Sequence, residues 1–501
     1  MFKKLLVANR GEIAVRVFRG AREMGIRTVA VYSEADARAK HVLVADEAVP
    51  IGGSAPSESY LDIAKVIAAA KSVGADAIHP GYGFLSERAE FVEACESAGI
   101  IFVGPSAAAM RALGSKIDAK QLAVKAEVPV TPGFFEPGAD LERLRSAAAE
   151  IGYPVMLKAS AGGGGRGMRI VRDPAQFEAE FEIASDEALK GFGDGAMMVE
   201  KLVEQPRHIE VQFIADKHGN VACLFERECS LQRRHQKLVE EAPSMVLDEP
   251  KWQALREAVE RLVREAKYTN AGTAEFIFDG ASGNVFFLEV NARLQVEHPV
   301  TEMITGVDLV QWQLRVASGE RLDDRLTALP VSREGIRGHS IEVRIVAEDP
   351  AMGFMPSIGP ILAWAEPQAP GVRVDTGFGP GSEVSRFYDS LIAKVIVHGE
   401  TRAQATQRLE QALLDFHIIG VKTNIAYLLD VIRHPSFVSG EFDTGFLGRE
   451  FGDWQPSLDV PEELGDILAA SKPVAAQSGA ERVNDDPAWG LLDGWRLTRI
   501  N

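Results

Sequence analysis

The sequence predicts a mixed α/β and α+β protein: a doubly wound parallel sheet, then a small α+β unit, then a large antiparallel sheet. Three observations carry this. The first hundred residues alternate strand and helix, as βαβ units do. Four glycines, Gly162 to Gly165, stand between two short apolar runs. From residue 206 onward, apolar runs are separated by turn sequences such as "KHGN" and "GASG", which signal hairpins.

In the first region "KLLVA" (4–8) reads as a buried strand, Glu12 to Met24 as an amphipathic helix closed by Gly25, and "RTVAVYS" (27–33) as the next strand. Helix (61–71), strand "ADAIHP" (75–80), helix (88–98) and strand "IIFVG" (100–104) follow. The first turn, "ANRGEIA", has one glycine where a dinucleotide fingerprint needs three, so NAD is not implied. The loop "HPGYGFLSE" (79–87) follows a strand end, where such sheets place ligands. Residues 136–205 hold a short helix, the strand "PVMLKAS", the glycine loop, the strand "MRIV", a helix and the strand "AMMVEKLV". Then come the hairpins "RHIEVQFIAD-KHGN-VACLFERE" and "TAEFIFD-GASG-NVFFLEV". The stretch "SKPVAAQSGAERVNDDP" in the last fifty residues reads as a linker.

Bulk properties exclude several classes. A chain of 501 residues is too long for one core. A formal net charge of -18 without blocks of like charge argues against nucleic acid or an anionic membrane as partner. Three cysteines without metal-ligand spacing, and no signal peptide or membrane-length apolar run, lead us to expect a reducing, cytoplasmic setting.

Three patches carry chemistry. In "KASAGGGGRGM" (158–168), glycine permits backbone N–H groups to converge on one anion, and Lys158 adds a cation. A plain hairpin tip fits the composition equally well. In the second hairpin, Glu275 lies roughly opposite Glu289, on a face shared with Asn291. Opposed carboxylates repel unless a proton or cation lies between them, and this donor set suits Mg²⁺; a solvated sheet face is the alternative. In an extended chain Glu289, Asn291, Arg293, Gln295 and Glu297 would share one face. The run "ERECSLQRRHQKLVEEAP" (226–243) packs Gln232, Arg233, Arg234, His235 and Lys237 together, either as an anion site or as a salt-bridged loop.

Taken together, "ANRGEIAVRV", "HPGYGFLSE", "KASAGGGGRGM", "RRHQKLVEEAP", "EVNARLQVEHPVTEMITG" and "AEDP" resemble the biotin carboxylases of the ATP-grasp superfamily, from Met1 to about Phe451. The resemblance implies an ATP-grasp fold with an N-terminal domain at 1–112, connecting helices at 113–135, a lid at 136–205, a large lobe and C-terminal domain at 206–447, and a linker or further domain at 448–501. It implies an ATP site of Lys116, Lys158, Gly162, Gly163, Gly164, Gly165, Gly167, Met168, Glu200, Lys201, Val203, His208, Gln232 and His235. The metal site, for Mg²⁺ or Mn²⁺, would be Glu275, Glu289 and Asn291. Bicarbonate would take Lys237, Arg293, Gln295, Val296 and Glu297; biotin would take Arg344 and Tyr82. Glu297, Arg293, Lys237 and Arg344 would be catalytic, with Glu297 deprotonating bicarbonate on the way to carboxyphosphate.

Two residues depart from the usual pattern, Arg166 for a lysine and Val203 for a leucine. The resemblance further implies carrier-bound biotin as substrate, a biotin carboxyl carrier protein or domain and a carboxyltransferase subunit as partners, and a homodimer or higher assembly. No lysine lies in a Met-Lys-Met setting, so this chain is expected to carry no covalent biotin. "VDTGF" (374–378) and the tail "WGLLDGWRL" resemble α chains of propionyl- or methylcrotonyl-type carboxylases. Another ATP-grasp ligase would share the glycine loop and metal hairpin without needing "RRHQK" or "LQVEHP". A non-catalytic nucleotide-binding module would be favoured by loss of Glu275, Glu289 or Glu297, all of which are present.

Overall fold

The computed structural model describes residues 1–160 and 167–456. The predicted Gly162–Gly165 and Arg166, and the tail from 457 on, lie outside the described residues.

Apolar runs near the N-terminus form the strands β1 (Lys4–Val7), β2 (Arg27–Ser33), β3 (Glu47–Gly52), β4 (Ala77–His79) and β5 (Ile101–Phe102). They make an all-parallel sheet in the order β3-β2-β1-β4-β5, with helices α1 (Gly11–Glu23), α2 (Ile63–Ser72) and α3 (Ala89–Ser97) as connections. The sequence reading missed β3, a half-exposed edge strand whose Pro50 disguises it. The order reverses between β1 and β4, so the loops leaving those strands open a crevice at their carboxyl ends. Asn9 ties the two loops, its Nδ2 donating to the carbonyls of Pro80 and Tyr82 at 2.7 Å each. Gly81 meets both demands of this turn: φ is +63°, and a Cβ there would lie 2.9 Å from Asn9 Nδ2.

Helix α4 (Lys116–Lys125), capped by Ser115, leads into a small four-stranded antiparallel sheet. Its strands are β6 (Gly133–Phe134), β7 (Val155–Ala159), β8 (Met168–Val171) and β9 (Met197–Lys201), and helices α5 (Leu141–Ile151) and α6 (Phe177–Phe192) join them. This unit has its own core around Leu144, Leu157, Phe177 and Val199.

Of the remaining strands, short ones between 348 and 419 pair in three two-stranded ribbons, and the others build one eight-stranded antiparallel sheet. Its members are β10 (Pro206–Ala215), β11 (Val221–Arg233), β12 (Gln236–Ala242), β13 (Asn270–Asp279), β14 (Val285–Asn291), β15 (His339–Val346), β16 (Val372–Thr376) and β17 (Leu391–Gly399). The order is β14-β13-β10-β11-β12-β15-β17-β16. Helix α7 (Glu249–Glu265) packs on β11, and the short helix α8 (His298–Thr305) covers the face of β11, β12, β15 and β17.

Among the described residues, no helix is long and apolar enough to cross a membrane. Cys95, Cys223 and Cys229 are all free and buried.

Candidate active site

The site begins with a register. Arg227, Glu210, Glu275 and Glu289 are successive partners across β11, β10, β13 and β14, forming one row of charges. Regular pairing of the last hairpin would not give this. Phe276 pairs with Phe287 and Phe278 with Val285, a register that would set Glu275 opposite Leu288. A bulge at Leu288 inserts one extra residue and brings Glu289 opposite Glu275. The far side of the hairpin is core, with Phe276 and Phe287 buried edge to face at 5.8 Å.

Lys237 stands at the centre of the acids. Its Nζ donates to Glu210 Oε2, to Glu275 Oε1 at 2.7 Å and to Glu297 Oε1 at 2.6 Å. On one side the contacts continue through Glu275 Oε2 to His208 Nε2 at 3.0 Å, and from His208 Nδ1 to the amide of Gln232 at 2.7 Å. On the other side Glu297 Oε2 accepts from Arg344 Nη2 at 3.0 Å, and Arg344 Nε donates to Glu240 Oε1 at 2.6 Å. Six of the predicted residues, drawn from ATP, metal, bicarbonate and biotin sets alike, therefore lie on one unbroken path.

Arg293 and Gln295 join it differently from the sequence expectation. The strand ends at Asn291, and residues 292–297 form a loop into α8, so the five alternating polar positions are not one strand face. They converge all the same. Arg293 Nη2 donates to Asn291 Oδ1 at 3.1 Å and Nη1 to Gln295 Oε1 at 3.2 Å, while Asn291 Nδ2 donates to Glu275 Oε1 at 2.8 Å. Glu87, from the switch-point loop, receives Arg293 Nε at 2.9 Å and so locks the parallel-sheet domain onto the loop. The Val296 carbonyl accepts from Lys394 Nζ at 2.7 Å. Tyr82 donates to Glu12 Oε1, next to Lys394, so its hydroxyl faces the inner end of this path.

On the small-sheet side, Lys158 Nζ contacts Glu200 Oε2, and Lys120 Nζ lies 2.7 Å from Glu200 Oε1. Lys116 stands at the start of α4, with its backbone N–H bonded to the Ser160 carbonyl; burial lowers its pKa, while Glu289 opposes the shift. Met168 is the partner of Lys158 across β7 and β8, next to Gly167. Val203 is half-buried on the segment after β9. Two predicted residues do not aim their side chains inward. The Lys201 ammonium bonds the carbonyls of Gly152 and Tyr153, and His235 is exposed at the β11–β12 turn. That turn holds Arg234 and His235 at φ +50° and +64°, both left-handed without glycine, which is costly and characteristic of functional loops.

Electrostatics sort the acids. Burial is the largest influence on Glu275 and Glu297 and raises both, but Lys237 together with His208 for Glu275, and with Arg344 and Arg227 for Glu297, overcomes it, so both lie well below the usual range. Glu289 goes the other way, raised by burial and then by the charge of Glu275. A half-buried carboxyl kept basic by its opposite neighbour fits a divalent cation between them, with hard oxygen donors on both sides. Among the described residues two groups of candidate ligand atoms lie within 4.8 Å of one another, His208 with Glu210 and Glu275, and Glu210 with Cys229 and Glu297; Glu289 is in neither, and faces the first across the hairpin from Glu275.

Burial raises Glu200 too, but Lys158 and Lys120 bring it down to about 2 from an ordinary 4.5. A depressed acid stabilises the fold above its unfolded pKa and loses that contribution as pH falls towards the folded one. We expect the urea midpoint to fall between pH 4.5 and 2 in the wild type, and less steeply in Glu200→Gln. Parallel curves for the two proteins would refute the pairing.

Sequence reasoning missed Glu210, Arg227, Glu240, Glu87 and Lys120. Glu210 was visible in the alternation of His208, Glu210 and Gln212, and Lys120 in its spacing of four from Lys116. Arg227 and Glu240 had no comparable signal, because each lies beside other acids that the structure sends to the opposite face.

Comparison with known proteins agrees with this geometry. Residues 1–110 match the family described as biotin carboxylase, N-terminal domain; 115–325 match the carbamoyl-phosphate synthase L chain, ATP binding domain; and 342–449 match the biotin carboxylase C-terminal domain. A biotin carboxylase of Halalkalibacterium halodurans is 52% identical over 89% of this chain and 97% of its own length. Methylcrotonoyl-CoA carboxylase subunit alpha of Mus musculus is 49% identical over 91% of this chain, which spans 63% of that protein. The biotin carboxylase domain dimer of Hydrogenobacter thermophilus 2-oxoglutarate carboxylase, solved with MgADP, ADP and bicarbonate, superimposes with a TM-score of 0.85 at 48% identity, over 90% of this chain and 98% of that one. The chain belongs to the biotin carboxylase family and has its ATP-grasp fold.

Proposed function

We propose that this chain carboxylates carrier-bound biotin with bicarbonate at the expense of ATP, as the first half-reaction of an acyl-CoA carboxylase. The observation that carries the reading is the path from Gln232 and His208 through Glu275, Lys237 and Glu297 to Arg344. It joins what would be the nucleotide, metal, bicarbonate and biotin positions without a gap. The test is ATP cleavage that requires both bicarbonate and biotin.

In this reading Glu200, Lys158 and Lys116 hold the nucleotide beside β7, with Gly167 and Met168 next to it. Arg293, Gln295 and the Val296 backbone orient bicarbonate next to Glu297. Glu297 accepts the bicarbonate proton, and the oxygen so activated attacks the γ-phosphate in line. The resting Glu297 is a poor base because Lys237 and Arg344 both hold it. An anion arriving at those two cations takes over their attention, and Glu297 gains basicity when it is needed. Arg344, with Tyr82 behind it, then faces the ureido oxygen of biotin as charge develops there. A divalent ion held by Glu275, Glu289 and Asn291 would neutralise phosphate charge when bound.

Glu289→Gln should raise the Mg²⁺ concentration needed for half-maximal turnover and lower kcat, because one hard anionic donor is replaced by a neutral amide. A Mg²⁺ titration and kcat identical to wild type would remove Glu289 from the metal site.

For domains we read 1–112 as the N-terminal domain, 113–135 as connecting helices, 136–205 as the lid, and 206–447 as the large lobe with the C-terminal domain. The downstream partners would be a biotin carrier and a carboxyltransferase, and the assembly a homodimer or larger. An acceptor of the propionyl or methylcrotonyl type fits the "VDTGF" segment, and copurification of the native complex would test it.

A further inference from the structure

Beneath Arg344 the sheet carries one more acid that the proposed reaction does not use. Glu342 is two residues before Arg344 on β15 and therefore on the same face. It is the direct partner of Glu240 on β12, the residue that holds Arg344 Nε. Its side chain is wholly buried, and among the described residues neither carboxylate oxygen has a hydrogen-bond partner; Glu240 Oε2 likewise has none there. The cations nearby are engaged elsewhere. Arg344 bonds Glu240 and Glu297, while Lys394, opposite Arg344 on β17, bonds the Val296 carbonyl and lies 3.4 Å from Glu12. On β16, Arg373 and Asp375 pair with each other at 2.6 Å. Tyr82, from the switch-point loop, spends its hydroxyl proton on Glu12.

An ionised carboxylate buried with no hydrogen bond and no cation of its own is too costly to persist. We propose that Glu342 is kept as a neutral carboxylic acid and is a positioning residue for Arg344: while it holds its proton, only Glu240 and Glu297 compete for the guanidinium, which stays aimed at Glu297. Burial does push Glu342 well above the usual carboxylate range, with Lys394 opposing and Glu240 reinforcing the shift. Burial raises Glu240 as well, to about 7, with its bond to Arg344 opposing the shift; Glu342 has no such bond and is the member of the pair that keeps the proton. Loss of the Glu342 proton would put a third carboxylate beside Arg344 and draw the guanidinium down, away from the place where biotin is expected.

The inference rests on the biotin carboxylase reading for its consequence, so the first arm of the test needs no turnover. Infrared spectra at neutral pH should contain a carbonyl band of a buried protonated carboxyl that disappears in Glu342→Gln. In the second arm, the ratio of KM for free biotin at alkaline pH to that at neutral pH should be several-fold larger in the wild type than in Glu342→Gln, whose side chain cannot ionise. Absence of the band from wild-type protein, its persistence in Glu342→Gln, or the same KM ratio in both proteins would overturn the proposal. The wild-type spectrum decides the protonation even if the variant does not fold. Wild-type protein without any biotin-dependent turnover would instead sink the proposed reaction, and leave the assignment of the proton to the band.

Discussion

Glu297→Gln should lower bicarbonate-dependent ATP cleavage by roughly 10²–10⁴-fold, the usual loss for a general base, while ATP should still bind with near wild-type affinity. The structure explains why the two should separate. Replacing one carboxylate oxygen by an amide removes the proton acceptor but not the shape. Lys237 keeps Glu210 and Glu275, and Arg344 keeps Glu240, so no cation is stranded. The residues expected to hold the nucleotide on the small sheet, Lys158 and Glu200, bond each other and not Glu297. Rate should be measured with saturating ATP and bicarbonate, and affinity by direct nucleotide titration. A variant that loses ATP affinity and rate together would make Glu297 a structural residue and end its assignment as the base.

Lys237→Gln should have the larger effect on the fold. One ammonium neutralises Glu210, Glu275 and Glu297, all buried. Removing one partner of a buried ionic group typically costs roughly 3–5 kcal/mol; here three carboxylates would lose their shared counterion and keep only Arg227, His208 and Arg344 as partners. The variant should therefore unfold at a clearly lower urea concentration. The sign of its pH dependence is also fixed. Without Lys237 the folded-state pKa of Glu275 and Glu297 must rise from their depressed values, which narrows the gap to the unfolded chain. The variant therefore loses less stability than the wild type as pH falls through the acid range. A Lys237→Gln protein with the wild-type urea midpoint at neutral pH would show that the three acids find charge balance elsewhere.

How much of this could be read from the letters depends on range. The parallel-sheet domain was legible nearly strand by strand, because buried parallel strands are short apolar runs and their helices have a 3.6-residue period. The edge strand β3 was not, since half of it faces water. The opposition of Glu275 and Glu289 was legible only in outline, because the bulge at Leu288 that completes it leaves no mark in composition. The motifs at 226–243 and 286–300 pointed to the right residues for a reason that alternation did not capture. Arg293 to Glu297 meet by leaving the strand, not by continuing it. Glu240 and Glu342, a hundred residues apart, become neighbours only through the pairing of β12 with β15, and nothing local foretells a long-range register.

That same pairing has a consequence for where the chain can be cut. β12 supplies Lys237 and Glu240 and belongs to the segment before 325, whereas β15, which runs alongside it, comes from the segment after. The two stretches that look like separate modules share a hydrogen-bonded seam in the middle of one sheet. A fragment ending between them would leave the backbone donors and acceptors of β12 open along an edge that native proteins take care to cover. Lys237 would then sit on an adhesive border. The boundary that is easiest to draw on the sequence is thus the one at which the molecule can least be divided.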